Sequence, residues 1–209
     1  MIPVKILSVQ YIPNAAPELC DALQISRNTP ALGLITTDSD DATYIALDEA
    51  TKAADVTVSY GRSFYAGAAN ASTPYAGEVI GILSSATPGA VRSGMQAATS
   101  ALQRIGFREA GGIPYLAHTV SSCGSFLAGE AGVTTGASLA YLIAPPLEAM
   151  VGLDAALKAA DVRLCKLYAP PSETNFGGGL LTGNQSACTT ACDAFANAVQ
   201  KIAIQPIDR

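Results

Sequence analysis

A segment of fourteen residues occurs twice in this chain, and this repeat restricts the possible folds more than any other feature. Residues 47–60 read LDEATKAADVTVSY and residues 153–166 read LDAALKAADVRLCK, with eight identical positions at a constant offset of 106. A spacing of about 100 residues is typical of a whole domain and not of a short solenoid repeat. The sequence therefore predicts two tandem copies of one domain.

The repeat also predicts where one copy ends and the next begins. The offset of 106 aligns Gly77 with Gly183, which we expect to precede the second helix of each half. A Gly-rich stretch at residues 106–112 is the natural boundary, because glycines favour turns and linkers. We therefore predict a first domain at residues 1–108 and a second at residues 109–209.

Each half shows β-prone runs that alternate with helical patterns. Asp40 or Asp41 is expected to cap a helix that runs to about Ala54, and Thr87 and Asn184 stand at cap positions of later helices. The fold class is α/β (α+β), with a small sheet packed against helices in each half. The predicted strands are residues 4–11, 32–36, 56–60, 78–84, 115–120, 139–143, 162–168 and a strand through Gly183; the predicted helices are residues 17–23, 146–160, 184–202 and one from Thr87.

Composition excludes several classes of function. Hydrophobic residues make up 49% of the chain and charged residues 14%, against about 25% charged in a typical domain. The protein therefore has less charged surface than usual to expose to solvent. This suits a protein that contacts copies of itself. A net charge of −5 argues against nucleic-acid binding, and no apolar run is long enough to cross a membrane. The five cysteines include no CxxC pair; we expect buried, reduced thiols and a cytoplasmic location without a secretion signal.

Known catalytic patterns are missing from the sequence. It contains no P-loop, GxSxG or HExxH motif, and its single histidine, His118, excludes most Ser–His and Cys–His schemes. His118 lies in an alternating strand pattern, which favours a structural or subunit-contact role. The glycines of residues 177–183 favour a loop closing into a strand over a dinucleotide site, because no acidic residue follows at the required distance. We predict a non-enzymatic protein without a cofactor or a metal.

An acidic cluster at residues 38–41 is the strongest candidate binding feature. It reads Asp-Ser-Asp-Asp at the start of a predicted helix, where carboxylates stabilise free amides. It lacks the glycine and the distal glutamate of a calcium loop. Two interpretations stay open: helix capping alone, or capping by one carboxylate while its neighbour binds a small cation with the help of Glu78.

Several longer segments resemble a known family. They span nearly the whole chain and are similar to the tandem-domain shell proteins of bacterial microcompartments, in particular those for ethanolamine utilisation. The resemblance implies two circularly permuted shell domains per chain. It also implies a homotrimer whose six lobes tile laterally with other shell proteins. The matching segments are ALGLIT from Ala31, DSDDATY from Asp38, LDEATK from Leu47, RSFYAGA from Arg62, GEVIG from Gly77, AYLIAPPLEA from Ala140, PPSETNF from Pro170 and LTGNQSAC from Leu181.

The resemblance also implies roles for individual residues. Lys52 and Lys158 take the position of the lysine at the tile edge, although a solvated lysine near a helix end is the alternative. A gated pore on the threefold axis is implied for two loops, residues 65–70 and residues 173–179. The gate residues are Tyr65, Gly67, Asn70, Asn175, Phe176 and Gly177.

A second, smaller channel in each subunit is implied to bind ethanolamine, a protonated amine with one hydroxyl group. Carried over by position, its residues are Asp40, Asp41, Glu78, Phe107 and Thr182. The alternatives are a shell protein of another compartment that processes alcohols, aldehydes or diols, and a stand-alone small-molecule sensor.

Overall fold

The structure is a computed structural model, and it describes residues 1–64 and 77–207. These residues form two compact units. The N-terminal unit comprises residues 3–105 together with Gly124–Leu127, and the C-terminal unit comprises Met1–Ile2, Gly106–Cys123 and the described chain from Ala128. Within the described residues, no helix has the length and apolarity needed to span a bilayer. The predicted boundary after residue 108 stays a prediction.

The N-terminal unit is one antiparallel sheet with two long helices on one face and a short helix on the other. Gly33 of the sheet faces Val91 and Met95 of the third helix, whereas Leu32 packs with Cys20 of the first helix. The strands lie in the order β1-β2-β4-β3. The elements are β1 (Ile6–Ile12), α1 (Pro17–Ala22), β2 (Ala31–Thr37), α2 (Asp40–Ala53), β3 (Thr57–Ser63), β4 (Val79–Ser85) and α3 (Pro88–Ala101).

The C-terminal unit repeats this arrangement and adds one short strand. Its strands lie in the order β5-β6-β7-β9-β8, all antiparallel. Phe195 of the last helix is fully buried in a core with Leu142 and Leu181 of the sheet. The elements are β5 (Arg108–Ala110), β6 (Ile113–Val120), α4 (Ser125–Ala131), β7 (Ser138–Ala144), α5 (Pro146–Ala159), β8 (Arg163–Tyr168), β9 (Gly177–Gly183) and α6 (Gln185–Ile204).

Strand order and fine detail both confirm the duplication. The order β6-β7-β9-β8 matches β1-β2-β4-β3, element for element. A register irregularity occurs in β3, between Val58 and Tyr60, and again in β8, between Leu164 and Lys166, at the same offset of 106. β-Bulges are conserved within protein families, so they mark equivalent positions in related domains. The mixed α/β class predicted from the sequence is therefore correct.

The predicted alignment of Gly77 with Gly183 is wrong. Gly77 lies before β4, whereas Gly183 is the last residue of β9 and directly precedes the cap of α6. The pairing register instead matches Gly81 with Gly179, an offset of 98. The chain between β3 and β4 is longer than that between β8 and β9, so the offset of 106 ends after β3 and its counterpart β8.

Helix caps follow the predicted chemistry in two of three cases. Thr87 accepts a hydrogen bond from the Ala90 amide at 3.2 Å, and Asn184 accepts one from the Ala187 amide at 2.8 Å. Each side chain satisfies one of the free amides at a helix start. Two short elements, β5 and α4, were not predicted, because glycines flank both and neither is long enough to show a period.

The cysteines are free thiols, as predicted. Cys188 and Cys192 lie one turn apart on the buried face of α6, and Cys20 and Cys123 are also buried. Burial raises the pKa of the Cys192 thiol to about 11. This thiol therefore stays protonated at neutral pH and packs as a small apolar group.

Candidate functional site

The acidic cluster lies at the junction between β2 and α2. The cap residue of α2 is Ser39, whose side chain makes no capping hydrogen bond, and Asp40 is the first helical residue. The expectation that Asp40 or Asp41 is the cap is thus wrong by one position. The Asp40 carboxylate still serves the helix start, since its Oδ1 accepts the Asp41 amide at 2.8 Å. Both aspartates are buried.

A set of hydroxyl groups fixes the turn that presents these carboxylates. The hydroxyls of Thr37 and Thr43 lie 2.7 Å apart, and the Ser39 amide donates to the Thr37 hydroxyl at 3.1 Å. The Thr43 hydroxyl in turn donates to the Ser39 carbonyl at 2.7 Å. Sequence reasoning did not identify these threonines, because their hydrogen bonds to one another and to Ser39 depend on the geometry of the turn.

Glu78 lies beside this turn at the start of β4. Its amide donates to the Thr37 carbonyl at 2.7 Å, and its carbonyl accepts the Phe64 amide at 2.9 Å. The preceding residue, Gly77, allows this approach because a β-carbon there would lie 2.0 Å from the Thr37 carbonyl oxygen. The backbone of Glu78 is thus held on both sides.

The carboxyl groups near Glu78 act on one another. Burial, and then the negative charges of Asp40 and Asp38, raise the pKa of Glu78 to about 7. Burial also raises the pKa of Asp40, although a hydrogen bond from Ser63 lowers it in part. The Ser63 hydroxyl lies 2.7 Å from the Tyr44 hydroxyl. Crowded carboxyl groups with raised pKa values mark a place where an added cation is stabilised.

The other two residues predicted for the small channel, Phe107 and Thr182, belong to the C-terminal unit. The Phe107 ring packs edge-on against the ring of Phe176, with 5.5 Å between the centroids. The Thr182 hydroxyl donates to the Ser138 carbonyl at 2.9 Å, across the β7–β9 pair. Within the N-terminal unit, the structure brings Asp40 near Glu78, and Asp41 follows Asp40 in the first turn of α2.

Of the six predicted gate residues, Tyr65, Gly67 and Asn70 lie outside the described residues. The other three follow one another at the start of β9. Asn175 adopts a φ of +65°, and its amide donates to the Ser172 carbonyl at 3.0 Å.

A predicted glycine loop up to Gly179 is wrong, because β9 begins at Gly177. Gly177 to Gly179 pair with Leu142 to Ala144 of β7 in the sheet. The loop therefore ends at Phe176, whose carbonyl accepts the Ser172 amide at 2.7 Å.

Lys52 and Lys158 lie at equivalent places in the last turns of α2 and α5. Lys52 forms an ion pair with Glu49 at 2.5 Å, and Lys158 forms one with Asp154 at 2.6 Å. The side chain of Lys158 is the more exposed of the two. Both ammonium groups are near the surface and close to helix C-termini, where positive charge is favoured.

His118 lies in β6 opposite Tyr141 of β7, in a strand as predicted. Over the described ranges, 1–64 and 77–207, no three His, Cys, Asp or Glu side chains are grouped so that they could hold a metal ion.

Comparisons with known proteins match the repeated architecture. The family model described as BMC domain matches residues 31–113. The shell protein EutL of Clostridium perfringens is 56% identical over 99% of this chain and 97% of its own length. The shell protein EutL of Escherichia coli is 46% identical over 100% of this chain and 97% of its own length.

Solved structures agree with the sequence matches. A crystal structure of EutL from Clostridium perfringens superposes with a TM-score of 0.95, covering 99% of this chain and 96% of that one. The trimeric microcompartment shell protein PduB is 19% identical and has a TM-score of 0.80, covering 96% of this chain and 89% of that one, which shows a shared fold. At such identity over its full length, the chain belongs to the EutL family of bacterial microcompartment shell proteins.

Proposed function

We propose that this protein is a homotrimeric tile in the shell of an ethanolamine-utilisation microcompartment. One observation carries the proposal: two copies of one sheet-and-helix unit lie in a chain that matches EutL proteins from end to end. Three such chains supply six equivalent lobes, and a ring with a sixfold outline tiles a plane without gaps. The role is structural, in keeping with the names of its relatives.

The native mass of the purified protein tests the tile directly. We expect three times the chain mass of 21.3 kDa, and six-lobed discs in negative-stain images. A monomer, or a dimer without threefold views, would contradict the tile. A stand-alone small-molecule sensor would then be the favoured hypothesis.

Lys52 and Lys158 are proposed to make lateral contacts between tiles. Replacing both lysines with alanine is expected to leave the trimer mass unchanged and to abolish sheets in electron micrographs. The ion pairs that this removes are near the surface, and such pairs contribute about 0–1 kcal/mol to folding. Replacing Lys166 of β8 with alanine is the matched control. If the double variant forms sheets of normal extent, the two lysines do not make the lateral contacts between tiles.

The acidic cluster of the N-terminal unit is proposed to bind the ammonium group of ethanolamine. Its support is the crowding of Glu78, Asp40 and Asp38, which raises the pKa of Glu78 to about 7. A cation among these groups relieves their mutual repulsion. A carboxylate about 4 Å from an ammonium contributes on the order of 4 kcal/mol before desolvation, at an effective dielectric of 20. Phe107 and Thr182 complete the proposed channel.

Ethanolamine binding is expected to strengthen as pH rises from 6 to 8. The ligand stays a cation over this range, while Glu78 loses its proton near pH 7. Below that value, the affinity is expected to change by up to about tenfold per pH unit, because ligand binding and proton binding compete. Calorimetric titration at several pH values measures this slope. A binding constant that does not change with pH would show that Glu78 does not bind the ligand.

Glu78→Gln is expected to weaken ethanolamine binding by about 10- to 100-fold, the size of one charge-assisted hydrogen bond, and to remove its pH dependence. The same change is expected to alter stability. The raised pKa means that Glu78 stabilises the fold fully below pH 4.5, and that this contribution is lost as pH rises through about 7. Glu78→Gln therefore flattens that decline. Replacing the exposed Glu18 with glutamine is the control.

The pore on the threefold axis is proposed to be gated by the turn that contains Asn175 and Phe176 and by the segment that contains Tyr65, Gly67 and Asn70. Support comes from the turn itself: it is closed by two backbone hydrogen bonds to Ser172 and leads into Gly177 of β9. A shell protein of another compartment is the second candidate, favoured by the fold shared with PduB. Preference for ethanolamine over a diol or an aldehyde in the calorimetric assay separates the two.

A further inference from the structure

A series of hydroxyl groups connects the acidic cluster to the middle of α2. The Ser63 hydroxyl, at the end of β3, donates a hydrogen bond to the Asp40 carboxylate. The Tyr44 hydroxyl, one helical turn after Asp40, lies 2.7 Å from the Ser63 hydroxyl. The three side chains therefore form one connected series, Tyr44–Ser63–Asp40, within the N-terminal unit.

The direction of each hydrogen bond in this series follows from the protons that are available. An ionised carboxylate only accepts, so the single proton of the Ser63 hydroxyl points to Asp40. Because that proton is already used, the Tyr44 hydroxyl donates to the Ser63 oxygen. Each hydrogen bond polarises the next one, so Tyr44 makes Ser63 a stronger donor to the carboxylate.

Packing holds the Tyr44 ring in the position that the series requires. Gly61 of β3 faces this ring, and a β-carbon there would lie 3.1 Å from Cε1 of Tyr44. The ring of Phe126 packs against it, with 5.9 Å between the two centroids. A glycine and an aromatic neighbour thus fix the ring, and the fixed ring places its hydroxyl beside Ser63.

The series acts on a carboxyl group that is otherwise hard to ionise. Asp40 is 7% exposed, and burial raises its pKa, whereas the hydrogen bond from Ser63 lowers it. The charged groups near Asp40 are acidic, so its ionised form depends on hydrogen-bond donors such as Ser63. The titratable groups around it are Asp38 and Asp41 from the same turn, Tyr44 from α2 and Glu78 from the start of β4.

Two buried hydroxyl groups beside the cluster lack a hydrogen-bond partner. They belong to Thr36 and Ser39, and within residues 1–64 and 77–207 they are the two side-chain oxygens in this state. Ser39 is 9% exposed and stands between Asp38 and Asp40. Unpartnered buried hydroxyls are rare in native proteins, and they are groups that a polar ligand or a water molecule satisfies. They support a ligand site at this turn independently of the carboxyl groups.

The C-terminal unit shows that the fold does not need this series. Its α5 and β8 form without any of the side chains concerned, because their counterparts carry neither a hydroxyl nor a carboxyl group. At the offset of 106, Asp40 corresponds to Pro146, Tyr44 to Met150 and Ser63 to Ala169, and at the offset of 98, Glu78 corresponds to Phe176. Four polar residues that change together in this way serve the N-terminal unit for a purpose other than folding.

We propose that Ser63 and Tyr44 are positioning residues for the ammonium group of the ligand: Ser63 orients the Asp40 carboxylate, and Tyr44 orients Ser63. The proposal rests on the ethanolamine site proposed above and adds two residues that control its affinity without touching the ligand. A carboxylate held by a fixed donor has less freedom to rotate. Less side-chain entropy is therefore lost when the ligand binds.

Replacing Ser63 with alanine tests the first step of the series. Ethanolamine binding at pH 7 is expected to weaken by about 3- to 10-fold in calorimetric titration, the size of one hydrogen bond. Without this donor Asp40 is harder to ionise, so the pH at which the affinity levels off is expected to rise by up to about one unit. Ser63→Thr keeps the hydroxyl and is expected to restore both the affinity and the pH profile.

The matched control for this variant lies on the same strand. Ser59 of β3 also shares a hydrogen bond with another hydroxyl group, that of Ser84. That pair is separate from the Tyr44–Ser63–Asp40 series. Ser59→Ala is therefore expected to bind ethanolamine with the affinity and the pH profile of the wild type.

A double-mutant comparison tests the second step. Tyr44→Phe keeps the ring beside Gly61 and Phe126 and removes only the hydroxyl group. On its own it is expected to weaken ethanolamine binding by about two- to threefold, because Ser63 becomes a poorer donor. In the Ser63→Ala background it is expected to have no further effect, because Tyr44 acts through Ser63. A tyrosine that only stabilised the fold would weaken binding equally in both backgrounds.

The outcomes separate the positioning role from the site itself. If wild type binds ethanolamine and Ser63→Ala binds it with the same affinity and pH profile, the positioning role is overturned and the site stays in place. An equal loss in Ser59→Ala would overturn it as well. Equal effects of Tyr44→Phe in both backgrounds would contradict the series. A wild-type protein that does not bind ethanolamine at pH 8 would overturn the site and the positioning role together.

Discussion

Replacing Asp48 with alanine is expected to lower the free energy of unfolding by about 2 to 5 kcal/mol. The carboxylate is fully buried and accepts two backbone amides, those of Gly124 and Leu127. Alanine leaves both donors without this acceptor, and each unsatisfied buried group costs about 1–3 kcal/mol. Chemical denaturation at one fixed protein concentration measures the change, since stability of an oligomer depends on concentration.

The repeat supplies the matched control for this experiment. Asp154 occupies the same repeat position as Asp48, but it is exposed and forms an ion pair with Lys158, four residues on. Asp154→Ala is expected to cost less than about 1 kcal/mol, as for other exposed ion pairs. Asp48→Asn should fall between the two, because the amide keeps one acceptor and turns a donor toward the second amide. Equal losses in Asp48→Ala and Asp154→Ala would contradict the assigned role of Asp48.

Replacing Gly178 with alanine is expected to destabilise the C-terminal unit by about 3 kcal/mol or more, in the upper range for overpacked cores. Gly178 lies in β9 opposite Ile143 of β7, inside the sheet. A β-carbon there would lie 1.9 Å from the Leu142 carbonyl oxygen, a backbone atom that cannot rotate away. The strands must separate or twist to admit the methyl group. Thermal and urea unfolding both measure the loss.

Gly129→Ala gives the opposite expectation in the same unit. Gly129 lies in helix α4, and a β-carbon there meets no atom within 4 Å. Alanine in a helix is favoured over glycine by about 0.5–1 kcal/mol, so this variant is expected to be as stable as the wild type or slightly more stable. A stable Gly178→Ala protein would mean that β7 and β9 pack less closely than the structure has them.

Much of the fold could be predicted from the sequence because its signals are local or repeated. The cap residues Thr87 and Asn184 start helices through contacts only three residues away. The helix–strand segment repeated from Leu47 reappears from Leu153 with the same bulge in its strand. The offset between later elements was mispredicted, because a change in loop length between strands leaves no mark in a local pattern.

The candidate site was predicted only in part. Carboxylates at residues 38–41 are visible as a cluster in the sequence, and Glu78 was named beside them as a second acidic contributor to a cation site. The threonine hydroxyls of Thr37 and Thr43 and the Ser63 partner of Asp40 were not identified. Their roles depend on distances across the turn and between strands, which a linear sequence does not contain.

The sequence by itself determined the duplication, the fold class and the family of this protein. Tertiary structure alone decided what each repeated residue does. Asp48 and Asp154 are the same residue at the same repeat position, yet one is buried beneath residues 124–127 and the other is in solvent. The physical reason is that a side chain's energy depends on its surroundings, and the same carboxylate holds a fold together only where water is excluded and donors converge on it.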